Sequence, residues 1–254
     1  MQNKILRKGM VVGIIVLFIG VGNGSAINSN VKSANMINKI ENLNPDTKTF
    51  YPTGDAFVTE AVGHGNNNYG NELEIHVSNK YGATPDWERN IFIIFDISSL
   101  PPHIKIISAK LYLYYYYYMD TNPVGRPLTV HCVLDDWYED TITYNTQPPV
   151  TTEVSSTANV PYSTNTWISW DLTSDVKDFV KGQKNNHGWK IMDETYWGWY
   201  NLPVPYFRSK EYGSESPYLE IEFTKSKNKD TTHQLSLQFL ERYPLLNRLL
   251  NLVN

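Results

Sequence analysis

Three aromatic side chains have a spacing that predicts contact with a ligand. Trp197, Trp199 and Tyr200 place three rings within four residues, and the neighbouring Asn201 and Pro203 favour a loop. A flat ring on an exposed loop can stack against the apolar C–H face of a sugar, while polar groups bind the hydroxyls at its edge. These rings are the first candidates for a ligand surface. The alternative is that one or two of them cover the edge of the domain as a hydrophobic lid.

A run of tyrosines provides the second aromatic candidate. In the segment 107–118, alternation along a β-strand assigns one face to the core and the other to solvent. The predicted core face contains Ile107, Ala109, Leu111, Leu113, Tyr115 and Tyr117. The predicted outer face contains Tyr112, Tyr114, Tyr116 and Tyr118, of which the first three are candidate ligand contacts. Their alternative role is packing beneath a loop or the C-terminal tail.

Basic side chains are candidates for contacts with an acidic polysaccharide, because a guanidinium group pairs with a carboxylate through two parallel hydrogen bonds. The candidates are Arg89, Lys110, Arg126, Arg208 and Lys210, with Arg89 and Arg208 the leading pair. The alternative is a structural role in which they pair with nearby acidic side chains and tie strands together. For Arg208 we expect such a pair with Glu211.

Acidic side chains favour a metal role over catalysis. Asp55 and Asp171 are candidate ligands of a structural calcium ion, which binds carboxylate and carbonyl oxygens. No other cofactor is expected. The pair Asp135 and Asp136 is typical of a turn, and the six histidines have no metal-binding spacing. The sequence therefore predicts that the protein is not an enzyme.

The chain divides into five predicted parts. Residues 1–26 have the positive start, apolar run and small residues of a secretory signal peptide, and 27–47 form a flexible lead-in. Residues 48–224 form the domain, 225–234 a polar linker, and 235–254 an amphipathic helical tail. We therefore expect a secreted or cell-surface protein, whose tail docks on its own domain, on a second copy or on an envelope protein.

Composition and patterning predict an all-β domain. The net charge of −4 is spread along the chain, which gives no reason to expect binding to nucleic acid. The load of 18 Tyr, 7 Trp and 9 Phe fits pleated strands. Alternation in 167–172 buries Ile168, Trp170 and Leu172 and turns Trp167, Ser169 and Asp171 outward. The spacing in 173–181 predicts one short helix. Cys132, within a β-type run, is expected to be a buried thiol.

Seven segments, in this chain order, resemble a known family. They are residues 52–58; 68–70; Arg89 with 93–101; 107–114; 137–139 with 143–145 and Pro148; 169–173; and 207–211 with 217–219. Together they resemble the DNRLRE domain, which overlaps carbohydrate-binding module family 96 and the disaggregatase-related repeats. The resemblance implies a jelly-roll-like antiparallel β-sandwich on a secreted or surface protein that binds polysaccharide.

The sequence thus predicts a noncatalytic module that binds polysaccharide by aromatic stacking with polar or cationic contacts. The alternative is a structural protein of the cell surface or matrix, which docks partners through its C-terminal helix.

Overall fold

The structure is a computed structural model, which describes residues 45–79, 87–196 and 201–225. These residues contain eleven β-strands and one α-helix. The strands are β1 (Asp46–Phe50), β2 (Gly54–Thr59), β3 (Glu74–His76), β4 (Arg89–Ile94), β5 (Ile104–Asp120), β6 (Pro127–Cys132), β7 (Ser156–Asn159), β8 (Thr166–Asp171), β9 (Trp189–Met192), β10 (Pro203–Arg208) and β11 (Tyr218–Lys225). The helix α1 spans Thr173–Val180, and two short 3₁₀ turns span Tyr144–Thr146 and Lys210–Tyr212.

The strands form two antiparallel sheets. The first has the order β1-β11-β5-β10-β3, and β8 also pairs with β5. The second has the order β2-β4-β9-β6-β7. Strand β1 begins at Asp46, so the last two residues of the predicted lead-in belong to the first sheet.

The core lies between the two sheets, which confirms the predicted all-β sandwich. Leu111 and Leu113 of the first sheet and Ile91 and Leu128 of the second are fully buried in one cluster. Trp170 is 1% exposed, and its indole N–H donates to the carbonyl oxygen of Leu128 across the sheets at 3.0 Å. The apolar faces that alternation assigned to the interior therefore pack against each other, since each sheet must bury one face.

Strand β5 departs from simple alternation at both ends. Glu222 of β11 lies opposite Ser108, whereas Phe223 lies opposite Ile106, so Ile107 is an extra residue in the pairing. Such a β-bulge shifts the alternation of inward and outward side chains by one residue. Ile106 is consequently buried, and Ile107, predicted for the core, is 41% exposed.

A second bulge affects the tyrosine run. Tyr206 of β10 lies opposite Tyr117 and Phe207 lies opposite Tyr115, which leaves Tyr116 as the extra residue. Tyr115 is buried as predicted, but Tyr117 is 52% exposed. Tyr118, predicted to point outward, packs against the core. The prediction was wrong for Tyr117 and Tyr118 because the bulge shifts the alternation by one residue.

The predicted helix is present and begins at Thr173, the first residue of the predicted segment 173–181. The side chain of Leu172, which precedes the helix, makes no capping hydrogen bond. Instead, the carboxylate of Asp171 accepts a hydrogen bond from the backbone N–H of Thr173 at 3.0 Å. The helix is tied to the second sheet by the Trp189 indole N–H, which donates to Asp175 at 2.9 Å. Cys132 is buried and free as predicted, and burial raises the pKa of its thiol to about 12.

The predicted signal peptide (1–26) and the helical tail (235–254) lie outside the described residues. Within the described part of the chain, no helix has the length and apolar character needed to cross a membrane.

Candidate functional site

Four aromatic side chains form a cluster on the outer face of the first sheet. Tyr112 and Tyr114 extend from β5, Trp167 from β8, and Tyr218 from β11. Strand pairing places Tyr218 opposite Tyr112 and Tyr114 opposite Trp167. The rings of Tyr112 and Tyr218 stack with centroids 4.6 Å apart, and Trp167 meets Tyr114 at 5.1 Å and Tyr218 at 5.0 Å, both edge to face. Two of the predicted tyrosines thus belong to an aromatic surface that joins three strands.

A cleft of about 600 Å³ lies beside this aromatic cluster. It is lined by Tyr51, Pro52, Trp167, Lys210, Gly213, Glu215, Ser216 and Tyr218. Tyr51 follows β1 and is 66% exposed, and Trp167 is 38% exposed. Flat apolar rings therefore line a cleft whose edge includes an ammonium group, a carboxylate and a hydroxyl. This combination suits a ligand that has an apolar face and polar edges.

Glu215 joins the polar edge of the cleft to the aromatic cluster. Partial desolvation, with the charge of Glu215 and a hydrogen bond to its carboxylate, raises the pKa of Tyr114. The carboxylate of Glu215 therefore favours the protonated form of the Tyr114 hydroxyl. Glu215 adopts a left-handed backbone conformation (φ 54°), within the connection from β10 to β11. The connection thus turns a carboxylate toward the sheet face.

Arg208 is held between two tyrosines. Its guanidinium carbon lies 3.6 Å from the ring centroid of Tyr116 and 3.6 Å from that of Tyr212. The Tyr116 hydroxyl donates to Glu74, and Arg208 Nε lies 3.8 Å from a carboxylate oxygen of Glu215. The expected pair of Arg208 with Glu211 is not formed, because Glu211 pairs with Lys210 instead. Tyr116 and Arg208 thus form a stack beside the cleft and do not line it.

The other basic candidates occupy separate positions. Arg89 on β4 is buried, with its guanidinium 5.3 Å from the Trp87 ring and 3.5 Å from the Ser78 hydroxyl. Arg126 donates to Asp193 and to the carbonyl oxygen of Thr195, both at 2.6 Å. Lys110 on β5 is exposed, with Asp171 and Glu220 as its neighbours across the sheet. These cations therefore do not converge on one acidic-ligand site.

The aromatic loop with Trp197, Trp199 and Tyr200 lies outside the described residues, but both of its flanks are described. On one side, Arg126 binds the carbonyl oxygen of Thr195. On the other side, the Thr121 hydroxyl donates to the carbonyl oxygen of Asn201 at 2.6 Å. The two described flanks, at Thr195 and Asn201, therefore both contact the connection between β5 and β6.

A carboxylate cluster, consisting of Asp55, Glu139 and Glu211, lies next to the cleft. Asp55 is on β2, Glu139 is in the connection after β6, and Glu211 is in the 3₁₀ turn after β10. One carboxylate oxygen from each lies within 4.8 Å of the others. Lys210 extends toward the same cluster, with its ammonium group 3.0 Å from Glu139 and also bonded to Glu211. Three distant parts of the chain therefore meet around one lysine.

Backbone groups hold this cluster in place. The Asp55 N–H donates to Glu139 Oε1 at 2.7 Å, and the Lys210 N–H donates to Asp55 Oδ2 at 2.9 Å. Asn68 donates to the carbonyl oxygen of Glu139 at 2.7 Å. Gly70 packs so closely on Glu139 that a Cβ would collide with that carbonyl oxygen. The position of Glu139 is thus set by its surroundings.

Burial governs the ionisation of the cluster. Asp55 is 1% exposed, and this burial, with the charges of Glu211 and Glu139, raises its pKa well above the ordinary value, although the Lys210 N–H opposes the shift. Burial lowers the pKa of Lys210, but hydrogen bonds to Glu211 and Glu139 outweigh it and raise the pKa to about 12. Lys210 therefore remains charged and neutralises one of the three carboxylates.

Asp171, the second predicted calcium ligand, is not part of this cluster. Hydrogen bonds from the side chain and the backbone N–H of Thr173, at the start of α1, lower the pKa of its carboxyl group. The sequence predicted that Asp55 and Asp171 bind the same ion. In the structure, Asp55 lies in the carboxylate cluster and Asp171 lies at the start of α1. Glu139 and Glu211, which were not predicted as ligands, lie with Asp55 because loops bring them together.

The fold and the aromatic cleft together are typical of a carbohydrate-binding module. The family model of carbohydrate-binding module family 96 matches residues 46–223, and the chain belongs to that family. The match confirms the resemblance inferred from the sequence. No curated protein matches the chain.

Tyr51, Trp167 and Tyr218 were not predicted as ligand contacts. Alternation in 166–171 does turn Trp167 outward, as the structure confirms. Alternation therefore identified Trp167 as an exposed tryptophan on a face of the sheet. Nothing in the sequence brought the three rings together, because Tyr51 follows β1, Trp167 lies on β8 and Tyr218 on β11, and these parts are distant along the chain.

Proposed function

We propose that this protein is a noncatalytic polysaccharide-binding module whose aromatic cleft holds the glycan. The observation that carries the proposal is the exposed Trp167 beside Tyr51 and Tyr218, with Lys210, Glu215 and Ser216 at the polar edge. Sugar rings stack on the aromatic side chains, and their hydroxyls hydrogen-bond to the polar groups. Membership of the carbohydrate-binding family supports a glycan as the ligand.

The carboxylates support binding without catalysis. A glycosidase that retains configuration needs two carboxyl groups about 5–5.5 Å apart that flank the bond to be cleaved. Asp55, Glu139 and Glu211 are near enough to one another, but Asp55 is buried and Lys210 bridges the other two. A buried carboxylate and two carboxylates that share one lysine suit a structural role better than the protonation and attack that cleave a glycosidic bond. We therefore expect the cluster to serve structure and not bond cleavage.

The charges in the cleft favour stacking over ionic attraction as the main contact. Lys210 and Glu215 have opposite signs, and the ammonium group of Lys210 is engaged by Glu139 and Glu211. We therefore expect uncharged polysaccharides to bind, and an acidic polysaccharide to gain little from charge. The signal-like segment 1–26 supports secretion or display at the cell surface as part of the same proposal.

The test is a polysaccharide panel of neutral and uronate-containing polymers, measured with the purified protein by affinity electrophoresis and calorimetry. Replacing Trp167 or Tyr218 by Ala should weaken binding at least about tenfold, since aromatic anchors contribute about 2 kcal/mol or more at binding sites. The matched control is Tyr162→Ala, which removes a tyrosine that is 86% exposed and does not line the cleft. Its binding should equal that of the parent.

Two other outcomes would redirect the proposal. Loss of binding in a Trp197→Ala/Trp199→Ala double variant, with full binding in Trp167→Ala, would move the site to the aromatic loop. Absence of binding to every polymer would favour the alternative function, a structural surface protein that docks through residues 235–254.

A further inference from the structure

Two carboxylate oxygens in the cluster of Asp55, Glu139 and Glu211 are buried and have no hydrogen-bond partner among the residues that the structure describes. They are Oδ1 of Asp55 and Oε2 of Glu211. The other oxygen of Asp55 accepts the Lys210 N–H, and Glu211 Oε1 accepts from the Lys210 ammonium group. A buried carboxylate oxygen without a partner is costly, because it has lost its water and gained nothing in return. These two atoms therefore point to a missing positive partner.

The net charge of the cluster indicates the charge of the missing partner. Three carboxylates and one ammonium group leave a net charge of −2 when all are ionised. Lys210 already contacts Glu139 and Glu211, whereas its ammonium group is not paired with Asp55. The negative charge that still needs a partner is therefore centred on the free oxygen of Asp55. One divalent cation balances this charge and provides the partner for both free oxygens.

We propose that Asp55, Glu139 and Glu211 bind a calcium ion. Each carboxylate oxygen has two lone pairs, so Glu139 can bind the ion while it accepts hydrogen bonds from Asp55 and Lys210. Calcium takes six to eight oxygen ligands in a tolerant geometry, whereas magnesium requires a compact octahedron of ligands at about 2.1 Å. A cluster that also contains a lysine ammonium group suits the larger and less demanding ion.

The ion would fasten the 3₁₀ turn Lys210–Tyr212 to strand β2. This turn lies in the connection that supplies Lys210, Gly213, Glu215 and Ser216 to the cleft. Calcium binding would therefore order the polar edge of the cleft. This second consequence rests on the proposed polysaccharide function, whereas calcium binding itself does not.

Calcium binding is tested directly on the chelator-treated protein, by calorimetry with CaCl₂ and by luminescence of Tb³⁺, which binds calcium sites and is excited through nearby aromatic rings. We expect one saturable site, and a rise in Tm of roughly 5–10 °C at a calcium concentration about 100 times Kd. MgCl₂ at the same concentration should give a smaller rise. Absence of saturable calcium binding and an unchanged Tm would overturn the proposal.

Asp55→Asn and Glu211→Gln should each abolish calcium binding and the calcium-dependent rise in Tm. The matched control is Asp171→Asn, which changes the other predicted ligand and should leave both intact. Calcium binding that survives in both cluster variants would place the site elsewhere and refute the assignment. If a variant does not fold, the comparison of calcium, magnesium and chelator on the parent protein still decides whether the protein binds calcium.

The link to the cleft is measured separately. If the parent binds a polysaccharide, chelator should weaken that binding severalfold and calcium should restore it. If the parent binds calcium but no polysaccharide, the metal site stands and the proposed function fails. If it binds polysaccharide equally with and without calcium, the ion has no role in the cleft.

Discussion

At the scale of single residues, partners within the fold determine what the charged side chains can do. Arg208 is stacked between Tyr116 and Tyr212, and Lys210 bridges Glu139 and Glu211. A cation with such partners must leave them before it can bind an external carboxylate, and this reduces the gain from a new contact. Aromatic rings in the cleft have no such cost, which is why stacking is the central element of the proposed function.

His76 is another residue whose environment overrides its ordinary chemistry. It lies on β3 between the rings of Phe57 and Tyr206, with centroids 3.9 and 4.5 Å away. Burial, assisted by the positive charge of Arg89, lowers its pKa well below the ordinary value of 6.5. His76 is therefore neutral in the folded protein at pH values where it is charged in the unfolded chain.

This difference predicts a loss of stability in acid. As the pH falls below 6.5, the unfolded chain binds a proton at His76 before the folded protein does, so the free energy of unfolding decreases. One such group contributes at most about 1.4 kcal/mol per pH unit. His76→Phe should flatten the decrease between pH 7 and 5, measured by urea unfolding. His103→Asn, at an exposed histidine, is the control, and an equal slope in parent and His76→Phe would contradict the prediction.

At the scale of elements, the two bulges of β5 determine which side chains reach the core. One bulge lies where β5 pairs with β11, near the start of the strand, and the other where β5 pairs with β10, near its end. The same irregularity makes Tyr116 available to stack on Arg208. The pairing of β5 with β10 and β11 therefore determines which of its side chains are buried, and the alternation along β5 alone does not.

The first bulge can be tested with a pair of adjacent substitutions. Ile106→Ala should cost about 2–4 kcal/mol of stability, because Ile106 is 3% exposed and its removal leaves a cavity. Ile107→Ala should change stability by about 0.5 kcal/mol or less, as is usual for surface positions. Simple alternation from Ala109 predicts the reverse order. Urea unfolding of both variants decides between the two registers.

At the scale of the whole molecule, the sandwich brings distant chain segments to one edge. Four of the segments that resemble the family contribute to the carboxylate cluster, through Asp55, Gly70, Glu139 and the Lys210–Tyr212 turn. The adjacent cleft adds Tyr51, Trp167 and Tyr218 from three strands of the first sheet or their ends. The proposed ion and glycan sites are thus neighbours on one side of the domain.

Deletion of residues 233–254 tests the proposed function against its alternative. We expect polysaccharide binding to be unchanged, because the described residues that line the cleft lie between positions 51 and 218. Binding constants and molecular mass, measured by calorimetry and light scattering, check this. The structural surface protein would be supported instead by two results together. The full-length protein would bind no polysaccharide, and the deletion would reduce the size of its oligomer or release it from the cell surface.

The sequence by itself determined the features that depend on neighbours along the chain. Alternation was sufficient to bury Ile168 and Trp170 and to turn Trp167 outward, because side chains of a regular strand repeat every two residues. The short helix followed from the spacing within 173–181, and the order of seven segments identified the family.

Only the tertiary structure decided the features that depend on partners from elsewhere in the chain. The bulges in β5 arise from its pairing with β10 and β11, so the segment 107–118 could not reveal them. Asp55 and Glu139 are hydrogen-bonded although 84 residues separate them, and Trp167 and Tyr218 meet only because β8 and β11 both pair with β5. Side-chain type and local period carry no information about such long-range contacts, and both proposed sites are built from them.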